Sequence, residues 1–154
     1  MPKTPLSHSP LEIIQHEFTE IAVRSTPTCD DGNFGSGTLE VHRQQTRQSD
    51  EENTWTLLLQ VTFHKSETDE NPPPYEGHLT IQGLFRVHEQ FPHDAERLIH
   101  VTGASILYGA AREMLANLTA RSANGMLSLP SVSFMEPSTK GTKGRRVKKK
   151  TTQR

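Results

Sequence analysis

Eight histidines and a single cysteine are the side chains best suited to metal or nucleophilic chemistry in this chain. His88, His93 and His100 form the tightest histidine group, around Phe91 and Pro92. A metal ion needs ligands that converge on one point, each oriented by a further partner. Irregular spacing across a loop gives no such convergence, so surface histidines are expected. Cys29 sits between Thr28 and Asp30 with no neighbouring cation to favour its thiolate. Alone, it makes neither an internal disulfide nor a thiolate zinc cluster. The run Gly32-Asn33-Phe34-Gly35-Ser36-Gly37 is glycine-rich. It fits neither nucleotide fingerprint and leads into a strand, so no helix N-terminus faces an anion. Asp30-Asp31-Gly32-Asn33 lacks the spaced ligands and closing glutamate of a calcium loop. No Gly-x-Ser-x-Gly elbow occurs, and the carboxylates lie mostly in polar loops, where nothing separates the pKa values of a pair. No catalytic residue, metal ligand or cofactor is assigned, and the chain is not expected to be an enzyme.

Charge divides the chain sharply. Its 17 basic and 18 acidic residues nearly balance, but eight of the basic ones fall between Ser138 and Arg154, a stretch without an acid. Met1 to Pro137 therefore holds nine basic residues against all 18 acidic ones. Runs of one sign repel themselves and stay disordered. Residues 1–10 are polar and proline-containing and read as a flexible N-terminus, residues 11–137 as one domain, and residues 138–154 as a basic, disordered tail. No window holds the ~20 apolar residues of a membrane span, and MPKTPLSHSP has no signal-type apolar stretch. A cytoplasmic protein is expected.

The elements follow from periodicity. Residues 11–24, LEIIQHEFTEIAVR, are ambiguous. Leu11, Ile14, Phe18 and Ile21 suit a helical face, and Ser9-Pro10-Leu11-Glu12 looks like a capping box, whereas Leu11/Ile13 and Ile21/Val23 alternate as in a strand. In TLEVHRQQ, Leu39 and Val41 alternate with polar neighbours. In TWTLLLQVTFH, Trp55, Leu57, Leu59, Val61 and Phe63 share one face. In HLTIQGLFRVHEQ, Leu79, Ile81, Phe85 and Val87 do so, with a gap at Gly83. Polar loops join these strands, which predicts an antiparallel sheet with one covered face. A helix over Ala104–Arg121, roughly 27 Å long, must be the cover. The fold class is α+β, a four-stranded antiparallel sheet with one long helix packed on one face.

That helix is unusual. Leu107, Ala111, Met114, Leu115 and Leu118 form a core face, yet Gly103, Ala104, Ser105, Ile106, Tyr108, Gly109 and Ala110 make the rest of its first half small or apolar. A helix apolar over most of its circumference is buried on more than one side. One side meets the sheet, and a second subunit could meet the other, through Ile106, Tyr108 and Ala110. The helix is followed by an apolar strip interrupted by a proline, Met126 to Phe134.

These residues carry a resemblance. Ile106-Leu107-Tyr108-x-x-Ala111-Arg112-Glu113, then Arg121, then Leu127-Ser128-Leu129 and Val132-Ser133-Phe134, resemble the SecB protein-export chaperone family. That family has an Ile-Leu-Phe-Pro-Tyr-Ala-Arg-Glu helix start and, at the same ungapped distance, a Leu-x-Leu-x-Pro-Val-Asn-Phe segment. Gln82-Gly83-Leu84-Phe85-Arg86-Val87 is similar to the family's Gly-Ile-Phe strand, and Ile14 to Thr19 faintly to its first strand. The match covers residues 79–134, and it turns residues 11–24 from helix to strand. Gly109 stands where the family has proline, Ala123-Asn124-Gly125 where it has Gly-Phe-Pro, and no second helix is visible before the tail.

The resemblance implies a dimer of dimers, a homotetramer with its long helices between two sheets. It implies ATP-independent holdase activity, binding unfolded proteins or preproteins in hydrophobic grooves and delivering them to the SecA motor. Met126, Leu127, Leu129, Val132 and Phe134 would then line a client groove. SecA would meet the acidic sheet face, where His42, Arg43, Arg47, His78 and Arg86 are the expected basic exceptions. A similar holdase serving other clients, such as an antitoxin, is a variant of this reading. The alternative from another class is a nucleic-acid-binding protein acting through the basic tail. No aromatic residue is interleaved there to stack on bases.

Overall fold

A computed structural model describes residues 8–27, 32–49, 51–89 and 94–135. Cys29, Asp30, Asp31, His93 and the whole basic run 138–154 lie outside them. Four strands, β1 (Leu11–Ser25), β2 (Gly37–Ser49), β3 (Thr54–Lys65) and β4 (Tyr75–Val87), form one antiparallel sheet in the order β1-β4-β3-β2. A helical run follows: α1 (Ala95–Leu98), a π-helical turn (Ile99–Gly103) and α2 (Ala104–Thr119). The α+β architecture expected from periodicity is the one observed.

Strand β1 explains its own ambiguity. It pairs with β4 from Leu11↔Val87 to Ser25↔Tyr75, and its register shifts between Ile13 and Gln15 and again between Phe18 and Glu20. Each bulge spends an extra residue, so the positions facing the helix are Leu11, Ile13, His16, Phe18, Ile21 and Val23. Steps of two and three residues alternate there, which breaks strand periodicity and imitates a helical face. The apparent capping box is local in the same way: Leu11 N–H donates to Ser9 Oγ at 3.2 Å, and the chain continues as strand.

The core lies between the sheet's inner face and α2. Leu57, Leu59 and Val61 of β3, Leu79, Ile81 and Phe85 of β4, and Leu107, Ala111 and Leu115 of α2 are fully buried. Gly83 is part of this packing. A Cβ there would fall 2.6 Å from the Phe85 ring and 2.9 Å from Leu107 Cδ2. The gap in the strand pattern is the space those two side chains fill.

Two expectations are corrected. The helical run starts earlier than Ala104, because Asp94 Oδ1 accepts the Arg97 N–H at 3.2 Å and caps α1. Arg43 and Arg47 also do not belong to the outer sheet face. They pair with Leu59 and Trp55, whose side chains point to the helix side, and so continue the Leu39–Val41 alternation inward. His42, His78 and Arg86 do face outward, beside Glu12, Glu17, Glu20, Glu40 and Glu76.

Candidate functional site

The buried stripe of α2 is rotated from the expected one. Ala104, Tyr108 and Thr119 are buried with Leu107, Ala111 and Leu115, while Leu118 is 46% exposed and Met114 only partly covered. The cause is the apolar strip. After Thr119 the chain turns through Ser122 and Gly125. Gly125 has φ +78°, a left-handed conformation suited to glycine. Residues 126–135 then run back along the Tyr108–Thr119 flank of α2 toward β2. The Tyr108–Thr119 flank of the helix is covered by its own chain.

The strip is held in an uncommon manner. Among the described residues, no backbone–backbone hydrogen bond involves residues 126–135. Side chains do the holding. Leu127 N–H donates to Thr119 Oγ1 at 2.7 Å, and the Thr119 hydroxyl donates in turn to Leu115 O at 2.7 Å. Arg112 Nε donates to Leu129 O at 3.0 Å, and the Tyr108 hydroxyl to Pro130 O at 2.7 Å. The Tyr75 hydroxyl donates to Gly125 O at the turn. Asn124 Nδ2 anchors that turn on Thr26 O and Pro74 O, at 2.9 and 2.7 Å. At the far end Arg43 Nη1 reaches His100 O at 3.2 Å and Phe134 O at 3.4 Å. Burial pushes the Tyr108 phenol above its ordinary pKa, the nearby Arg112 charge opposing this.

The residues expected in a client groove therefore divide by face. Leu129 and Phe134 are buried and Leu127 is partly buried, all against the chain's own helix and sheet. Met126 is 64% exposed and Val132 36%, with Met135 exposed beside them. The helix residues expected at a subunit interface divide too. Ile106 is 40% exposed, Ala110 is partly buried, and Tyr108 lies under the strip. At the C-terminal end of α2, Ile21 and Val23 of β1 line a cavity of about 290 Å³ together with Tyr75, Leu118, Thr119 and Ser122.

The outer sheet face is polar and mixed in charge. His64 Nε2 lies 3.3 Å and His42 Nε2 3.8 Å from Glu40, and His78 Nε2 lies 2.9 Å from Glu20. Arg24 and Arg86 pair with Glu76 and Glu12 at 3.0 and 3.5 Å. Among the described residues, no three His, Cys, Asp or Glu side chains form a group able to hold a metal ion. No helix among them is long and apolar enough to cross a membrane.

Sequence reading did not single out Arg43, Tyr75, Thr119 or Asn124 as holders of the strip. Signals existed for two. Arg43 continues an inward alternation, and Asn124-Gly125 is a strong turn dipeptide.

No protein-family model matches the sequence, and no curated protein is significantly similar to it. Solved structures are similar in fold. One, from Streptococcus agalactiae, is a protein of unknown function with 9% identity and a TM-score of 0.47 over 79% of this chain and 97% of that one. That likeness is too distant to support a conclusion. Another is the Mycobacterium tuberculosis Rv1957 SecB-like chaperone, in complex with a ChAD peptide from the Rv1956 HigA1 antitoxin. It covers 80% of this chain and 91% of that one, at 16% identity and a TM-score of 0.62. What the two chains share at that identity is a fold: the α+β architecture of a SecB-like chaperone.

Proposed function

We propose that this protein is an ATP-independent holdase that binds extended apolar segments of non-native proteins. The observation that carries the reading is the strip 126–135. It is apolar, follows no regular secondary structure, and exposes Met126, Val132 and Met135 beside a helix flank. A binder of many sequences needs apolar area and adaptable side chains with few specificity-imposing polar groups, and methionine supplies both qualities. The shared fold with a peptide-bound SecB-like chaperone supports the same reading.

Magnitudes favour an assembly. Micromolar binding needs about 8 kcal/mol. At ~25 cal/mol/Å² this is roughly 330 Å² of apolar contact, before about 2–5 kcal/mol for ordering the client. One short strip does not supply that. Several copies engaged by one chain would, through avidity. A homotetramer built as a dimer of dimers, with Ile106 and Ala110 at an interface, is part of the proposal. Tyr108 would contribute there only after the strip had moved. A role in export would use the outer sheet face, whose five glutamates could meet a SecA-type partner. A cytoplasmic site of action fits this function.

The experiment is light scattering of a chemically denatured client. Near-stoichiometric amounts of the chain should suppress aggregation, with nucleotide making no difference. Unchanged scattering rejects the proposal.

A nucleic-acid-binding reading is favoured by one feature, the eight basic residues after Pro137. If all eight met phosphates, log K against log salt would slope near about −5.6 for single strands. A shallow slope, unchanged in a chain ending at Pro137, is the outcome expected for a holdase.

A further inference from the structure

The way the strip is held resembles the binding of a separate peptide more than the packing of a core segment. Its backbone is read by side chains: Thr119 accepts one amide, and Arg112, Tyr108 and Arg43 donate to the carbonyls of residues 129, 130 and 134. None of these bonds depends on which side chain the strip carries. Sequence enters only through three inward positions, Leu127, Leu129 and Phe134, spaced i, i+2 and i+7. Every residue between them is exposed. Phe134 is the largest of the three anchors, edge-on to Tyr108 with ring centroids 5.9 Å apart and with the Arg43 guanidinium 5.1 Å from its centroid. Pro130 offers no N–H, and the helix flank asks for none there, only for the carbonyl that Tyr108 meets. The strip also lacks the ladder or helical bonds that make departure of a strand or helix cooperative with global unfolding.

We propose that residues 126–135 are a displaceable strap. They occupy, as an internal pseudo-ligand, a groove between the Tyr108–Thr119 flank of α2 and the inner face of β2. An incoming extended segment with two apolar residues two positions apart takes over the seats of Leu127 and Leu129 and the hydrogen bonds to Thr119, Arg112 and Tyr108. This rests on the reading of the protein as a binder of extended chains, and it adds where such a chain lies and what it must displace. The measured affinity is then the intrinsic affinity of the groove reduced by the fraction of molecules with the strap open. The strap's sequence becomes a brake on binding.

This reverses the sign of a simple expectation. If Leu129 were itself a client contact, trimming it would weaken binding. As a brake, its loss opens the groove and tightens binding. Removing a buried leucine side chain raises the opening constant by a factor on the order of 30 or more, so Leu129→Ala should bind at least about tenfold tighter than wild type until the open form dominates. Leu127→Ala, at a partly buried position, is a milder second variant and should tighten binding by a smaller factor.

The test uses the full chain and a labelled synthetic peptide of the strap's own sequence, residues 125–135, with lysines at both ends for solubility. Hydrogen exchange is read at the Leu127 amide and at the Ile81 amide in the sheet core. Without peptide, Leu127 should exchange at least about a hundredfold faster than Ile81, and saturating peptide should speed it further as the strap leaves. Binding should tighten in the order wild type, Leu127→Ala, Leu129→Ala. Equal exchange at the two amides, protection of Leu127 by peptide, or weaker or absent binding in Leu129→Ala overturns the strap. Client aggregation is scored on the same wild-type samples. Suppression without these signatures rejects the strap alone, and the signatures without suppression keep the strap and reject the wider holdase reading.

Discussion

The ring of Phe134 stands edge-on to that of Tyr108, at 5.9 Å between centroids and an interplanar angle of 73°. Helix and strip are thereby joined across 26 residues of sequence, and of the three helix positions that invited a partner subunit, Tyr108 is covered from within. The Tyr108 hydroxyl reaches Pro130 O in the same contact. Tyr108→Phe keeps the ring and loses one neutral hydrogen bond, worth about 1 kcal/mol. Exchange at the Leu127 amide should rise about fivefold, and the urea midpoint of the whole chain should fall by no more than corresponds to that same loss of about 1 kcal/mol. Loss of the strip contact with no change at Leu127 would contradict the arrangement.

Assembly is best probed at Ile106. Its side chain is exposed on the flank opposite the strip, so Ile106→Asp costs little within one chain but sets a charge in any apolar contact between copies. Sedimentation at micromolar concentration should show a smaller species with an unchanged thermal midpoint. Tyr108→Asp would be a poor probe, because it buries a carboxylate beneath the chain's own strip. A wild type that already sediments as a monomer removes the tetramer from the account.

Gly83 has a packing role that a single methyl group tests. Gly83→Ala forces Phe85 or Leu107 out of place in a fully buried layer. Overpacking of this kind costs about 1–3 kcal/mol. Denaturant unfolding should show that loss, and an unaltered midpoint would contradict the helix–sheet packing described.

Among the described residues, two exposed groups are shifted in ways that bear on pH dependence. His64 is raised above its ordinary 6.5, first by its bond to the Lys65 carbonyl and then by Glu40. Its contribution is full below about pH 6.5 and is lost as pH rises through the folded value. Asp69 is lowered from 3.8 by the backbone N–H groups of Ser36 and Asn71 and by the Ser36 hydroxyl. Its contribution is present above about pH 3.8 and is lost as pH falls through the folded value. An NMR titration should place the His64 midpoint above 6.5. His64→Gln should flatten the decline in thermal midpoint between about pH 6 and 8, and a steeper decline would contradict the assignment.

Much of the fold was legible because β3 alternates without interruption and β4 with a single gap at Gly83, and burial on one face writes itself into a period of two. β1 was not legible from local pattern. Its two bulges convert that period into steps of two and three, and only pairing with β4 restores a common face. The early helix start was signalled by Asp94 with Glu96 behind it, a cap obscured in the sequence by the Phe91-Pro92 pair before it. At the candidate site, the apolar residues of the strip were recognisable in type. Which of them point inward was not. That depends on Arg43, Thr119 and Asn124, side chains brought to the strip by tertiary contacts between 8 and 98 residues apart in sequence.

The most direct measurement of the central claim is calorimetric titration of a reduced, permanently unfolded protein into the full chain, with and without ATP. The account predicts a complex of micromolar or tighter affinity, a negative heat-capacity change from apolar burial, and no effect of nucleotide. Absence of heat and of any complex at tens of micromolar, or binding that appears only with ATP, would contradict it.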